Sequence, residues 1–118
     1  MQEASLEREG VLHKVTLLQL ENAVLALFYE GPIKIGTLAV STPGLREGGA
    51  GTSSVLLGGK YLIAARALAE RVAASYNKMS IVSINTGLLE GEALRLYARL
   101  LDKARSEGTS KNPDSSKD

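Results

Sequence analysis

The chain has no cysteine and no tryptophan, and only one histidine and one phenylalanine among its 118 residues. Without cysteine there is no disulfide framework, no thiolate zinc or iron–sulfur site and no thiol nucleophile, and nothing calls for an oxidising compartment. A cytoplasmic setting is the expectation. A surplus of charge of one sign is missing too, because 14 Lys and Arg oppose 13 Asp and Glu. Such a balance lacks the basic footprint through which nucleic-acid binders release counterions, and one Phe with four Tyr offers few surfaces on which bases stack. No nucleic-acid partner is expected. Long apolar runs are also absent: nothing approaches the ~20 residues of a membrane span, and the opening MQEASLEREG, with three Glu, is unlike a signal peptide. No membrane partner is expected either.

What remains is the composition of one ordinary soluble domain, 44% hydrophobic and 23% charged. A chain of this length buries about two-thirds of its unfolded surface without a metal or disulfide staple. Residues 1–8 read as a flexible N-terminus. From Ser106 the sequence mixes Ser, Gly, Lys and Asp without period and reads as a disordered tail over 106–118. The folding unit is therefore expected over 9–105.

Within it, Val11 to Leu20 alternates in the manner of a strand, and Ala23 to Tyr29 (AVLALFY) is a short apolar run bounded by Glu30-Gly31-Pro32. Ile33 to Ser41 alternates again, and the three segments suggest an antiparallel meander. Thr42 to Thr52 holds four glycines and reads as a mobile loop. Ser53 to Leu57 returns as a strand. The period then changes to 3.6: Tyr61, Ala64, Ala65, Leu68, Val72 and Tyr76 share one face of a helix reaching about Asn77. Met79 to Asn85 is the next strand, parallel or antiparallel. Leu89 to Arg105 is a second helix, with Ala93, Leu96, Tyr97, Leu100, Leu101 and Ala104 in register. These elements predict an α+β domain, a mostly antiparallel sheet of about five to six strands with two amphipathic helices on one face. Because Ala23 to Tyr29 is apolar on both sides, the face away from the helices should be covered by a second copy or a partner.

Little in the inventory supports catalysis. His13 lies in a strand with no acid in its own segment, which suits a surface or edge-strand residue better than a general base. No loop has calcium spacing. Glu90 and Glu92 sit two apart on a helix, where side chains diverge, and suit surface acids that compensate the helix dipole. Gly58-Gly59-Lys60 falls at a strand-to-helix junction, where backbone N–H groups hold anions. It departs from a phosphate loop, since Ser54 replaces the first glycine and Tyr61 the magnesium-binding hydroxyl. Gly49-Ala50-Gly51 lacks the third glycine of a dinucleotide loop and precedes a strand. No enzyme, no cofactor and no metal are expected. Arg95, Arg99 and Lys103 form a basic stripe that reads first as a solvated face of mixed pairs and alternatively as a docking edge for an acidic protein surface, and the loop with Leu45, Arg46 and Glu47 reads either as a flexible connection or as one that orders on a partner.

The strand Gly36-Thr37-Leu38, the stretch Thr52 to Gly58 before a helix, the long Ala/Leu/Val helix and the closing strand and helix resemble the small proteasome assembly chaperones, types three and four. The resemblance spans about Val11 to Ala104, and Val55-Leu56-Leu57-Gly58 is its sharpest part. It implies a non-enzymatic α+β protein of an archaeal kind, working as a dimer with itself or a paralogue, that escorts proteasome α subunits into their ring. Gly36, Thr37 and Val55 to Gly58 match the family's pattern as structural positions, with glycine permitting the turn and the apolar residues filling the core. Leu45, Arg46, Glu47, Arg95, Arg99 and Lys103 are then the candidate contacts with the α subunit. The alternative is a roadblock- or longin-like regulatory module that binds an anion at Gly58-Gly59-Lys60.

Overall fold

Aliphatic residues at alternate positions build one sheet, and two helices with alanine-rich stripes pack across a single face of it. The computed structural model describes residues 1–44 and 52–111. The elements are β1 (Gln2–Arg8), β2 (Val11–Gln19), β3 (Ala23–Glu30), β4 (Thr37–Thr42), β5 (Thr52–Leu57), α1 (Leu62–Tyr76), β6 (Met79–Asn85) and α2 (Glu90–Lys111). The six strands lie in the order β1-β2-β3-β6-β4-β5, and only the β3–β6 pairing is parallel. The fold is α+β, as the sequence indicates.

The meander holds only for its first pair. β2 and β3 are antiparallel neighbours, but β6 stands between β3 and β4, parallel to the former and antiparallel to the latter. β5 and β6 point the same way on either side of β4, so α1 is the crossover that carries the chain over it. Crossovers of this kind need a connection as long as a helix, which the stretch from Leu62 to Tyr76 supplies. Ile33 to Gly36 does not join the sheet, and β4 begins at Thr37.

Both expected termini are also corrected. Residues 2–8 form an edge strand, in register with β2 from Gln2 opposite Leu17 to Arg8 opposite Val11. Glu9 and Gly10 close this hairpin with φ of 51° and 80°, the positive pair that a tight primed turn requires. The segment is polar because an edge strand needs only one apolar row, supplied here by Ala4 and Leu6. At the other end α2 runs beyond Arg105 to Lys111, since each further residue of an established helix adds a hydrogen bond. Residues 112–118 of the expected tail lie outside the described residues.

The core lies between sheet and helices. Val15, Leu17, Val24, Ala26, Phe28, Val82 and Ile84 face Ala64, Ala65, Leu68, Ala69 and Val72 of α1 and Leu96, Tyr97, Leu100 and Leu101 of α2. Tyr97 stacks on Phe28 at 5.2 Å between ring centres. The helical faces expected from the 3.6 period are the buried ones.

Candidate functional site

The two segments on which the family resemblance rests meet in space. Gly36 and Thr37 open β4, and Gly58 ends β5 directly beside them. Thr37 Oγ1 donates to the Lys60 carbonyl at 2.5 Å, and the Gly36 N–H donates to Ser83 Oγ at 2.9 Å. Gly58 has φ of +110°, and a Cβ there would stand 2.7 Å from Thr37 Oγ1. Gly36 needs glycine for a different reason from the turn expected of it. Its φ is not positive, but a Cβ would lie 2.0 Å from the Ile84 carbonyl oxygen. Val55 packs against the core, whereas Leu56 is exposed on the opposite face instead of filling it. The side chain of Leu57 lies outside the described residues.

Side chains alternate across the strands, so the residues between those of the core form the other face of the sheet. Register places Leu18, Leu25, Ile81 and Val40 in one row across β2, β3, β6 and β4. The next row holds Thr16, Leu27, Ser83 and Leu38. Leu12, Leu56 and Met79 extend the apolar surface and are exposed. Among the described residues no helix covers this face. It is the two-sided apolar character of Ala23 to Tyr29 made visible.

A second surface lies at the sheet end where both helices begin. Glu30, at the end of β3, accepts from Thr86 Oγ1 at 2.5 Å and from the Gly87 N–H at 2.8 Å. These bonds hold its carboxyl below the usual carboxylate value. Tyr61 precedes α1 in the left-handed region, φ 61°, and its hydroxyl lies 2.8 Å from the Thr86 carbonyl and 2.5 Å from that of Leu88. Glu90, the first residue of α2, accepts from the N–H groups of Ile63 and Ala64 at 2.7 and 2.9 Å. Between the two connections lies a groove of about 470 Å³, lined by Lys60, Tyr61, Leu62, Ile63 and Leu88 to Glu90 among others. Glu90 thus stands in the first turn of its own helix, as expected, and also caps α1. Its carboxylate occupies the anion position at the start of α1, where the regulatory-module alternative would seat a ligand.

His13 is not a surface or edge residue. It is 1% exposed on the helix side of β2, opposite Glu30, with Nδ1 at 2.9 Å from the Tyr97 hydroxyl. Burial lowers its pKa below 6.5, with Glu30 raising it and Arg8 lowering it. Burial also pushes the Tyr97 phenol up to about 12, so it keeps its proton. His13 Nε2 has no hydrogen-bond partner. No acid shares the β2 segment with His13, and strand register brings Glu30 opposite it.

The candidate contact residues fare differently. Arg95 and Arg99 are exposed on α2, and neither is in an ion pair among the described residues. Lys103 is used within the fold, where its ammonium donates to the Ser5 carbonyl at 2.8 Å and ties α2 to the edge strand. Glu92 pairs with Arg8 at 3.1 Å. Leu45, Arg46 and Glu47 lie outside the described residues. Among the described residues no three His, Asp or Glu form a group able to hold a metal ion, and no helix is long and apolar enough to cross a membrane. Comparison of the chain with protein-family models and with curated proteins found no match.

Proposed function

We propose that the chain is a non-catalytic protein-binding module that works as a dimer and escorts proteasome α subunits into their ring, the role that the resemblance implies. The observation that supports this reading is the uncovered sheet face. Four aliphatic side chains stand in one row across its central strands, and Leu12, Leu56 and Met79 lie exposed beside it. Monomers rarely leave an apolar surface of that continuity in water, because each square ångström withdrawn is worth ~25 cal/mol. A second copy presents the same surface and covers it by two-fold symmetry. Arg95 and Arg99 project from the opposite, helical side and remain available to an acidic client surface.

Size-exclusion chromatography with light scattering tests both parts, first on the protein alone and then with the α subunit of its host. A dimeric mass is expected, reduced to a monomer by Leu25→Lys or Leu27→Lys with the circular dichroism retained. Co-elution with the α subunit and faster ring formation without ATP are expected next. Folded variants that keep the wild-type mass would refute the dimer, and a dimer that ignores the α subunit would refute the client.

A further inference from the structure

We infer that His13 and Glu30 form an acid-operated latch on the β6–α2 connection: when the imidazole takes a proton, the Glu30 carboxylate leaves Thr86 and Gly87 for it, and the connection beside the groove loosens. The imidazole is buried without a full set of partners. Its Nδ1 lies 2.9 Å from the Tyr97 hydroxyl, and its Nε2 has no hydrogen-bond partner. A neutral ring tolerates one orphan nitrogen. A protonated ring donates from both nitrogens, and a buried cation with an unpaired N–H draws in the nearest anion.

The charges around His13 leave one anion for that task. Arg8 of β1 is held 3.1 Å from Glu92 of α2, so the Glu92 carboxylate is already paired. The phenols of Tyr97 on α2 and Tyr61 ahead of α1 are pushed up by burial and keep their protons. Glu30 of β3 stands directly opposite His13, where side chains share a face and Cβ atoms lie about 5 Å apart. No ion pair joins the two in this state, because Glu30 Oε2 is turned to Thr86 Oγ1 and the Gly87 N–H. The ring is buried against Tyr97, with centroids 5.6 Å apart, whereas the Glu30 side chain is half-buried and is the group free to swing. Those bonds hold the Glu30 carboxyl below its usual value, so it stays ionised in the acid range where the imidazole takes up its proton.

Glu30 ties the end of β3 to the β6–α2 connection. Once its carboxylate leaves, the Gly87 N–H loses its acceptor, and the Tyr61 hydroxyl is left to hold the Thr86 and Leu88 carbonyls. Gly87 and Leu88 line the groove, so its shape follows the protonation of His13. The network lies on the helix side of the sheet, so the latch does not rest on the dimer.

Amide and imidazole chemical shifts of the full labelled chain, followed from pH ~7 to ~5, test the latch. The Gly87 and Leu88 amides are expected to shift with the midpoint of the His13 ring. Hydrogen-exchange protection at Gly87 should fall about tenfold while Leu68 and Val82 hold theirs. Glu30→Gln, at a half-buried site, should remove this response and lower the ring's midpoint, because the anion that favours the imidazolium is gone. His13→Asn should leave Gly87 and Leu88 insensitive to pH over the same range. A ring that stays neutral down to pH ~5, a ring that titrates while Gly87 and Leu88 stay still, a response that survives in Glu30→Gln, or protection lost equally across α1 and β3 would each overturn the inference.

Discussion

Gly36→Ala adds one methyl group at the closest backbone approach among the described glycines. The new Cβ would stand 2.0 Å from the Ile84 oxygen, 2.8 Å from its carbonyl carbon and 3.0 Å from Asn85 Cα, where ordinary contact begins at 3.4 Å. All three atoms are backbone, so no rotamer relieves the clash and β4 must move away from β6 by more than an ångström. Overpacking costs about 1–3 kcal/mol, and a backbone clash belongs at the upper end. Alanine restricts the unfolded chain and returns ~0.4–1 kcal/mol. The net loss is about 2–3 kcal/mol, and at ~4–8 °C per kcal/mol for a domain of this size Tm falls by about 10–20 °C. Thermal and urea unfolding followed by circular dichroism read this directly. Gly59→Ala is the internal control, since its Cβ meets nothing within 4 Å and its φ lies outside the left-handed region. It should leave stability unchanged or raise it by ~0.4–1 kcal/mol. A Gly36→Ala protein within ~0.5 kcal/mol of the wild type would refute the argument that close approach, and not turn conformation, dictates glycine here.

Acidification should destabilise the protein in a window set by His13. Its folded pKa is depressed below 6.5, so as pH falls below that value the unfolded chain takes a proton that the folded one resists. Glu30, lowered from 4.5, adds a second loss as pH falls below its own unfolded value. His13→Asn should flatten the fall of Tm between pH ~7 and ~5, which thermal melts across pH will show. Glu90→Ala removes the acceptor of the Ile63 and Ala64 N–H groups and should cost about 1 kcal/mol, as loss of a cap does. Hydrogen exchange at those two amides should accelerate ahead of the rest of α1.

Local pattern alone determined much of this protein. The alternation in Val11 to Gln19 and Met79 to Asn85 and the 3.6 period from Ala64 onward are short-range properties, and they fixed the element types and buried faces. The apolar run Ala23 to Tyr29 also announced a strand with apolar side chains on both of its faces. Tertiary structure decided whatever depends on partners distant in the chain. Gln2 to Arg8 is a strand only because β2 offers an edge, and its mixed polarity carries no such signal. The place of β6 between β3 and β4 follows from the reach of α1 across the sheet, not from the residues of β6. The candidate site shows the same division: exposed aliphatics and lysines are legible individually, but the groove forms because Tyr61 bonds Thr86 and Leu88, and Glu90 caps a helix begun 28 residues earlier at Leu62. Hydrogen bonds and contacts of that range depend on where the chain returns, which neither propensity nor period encodes.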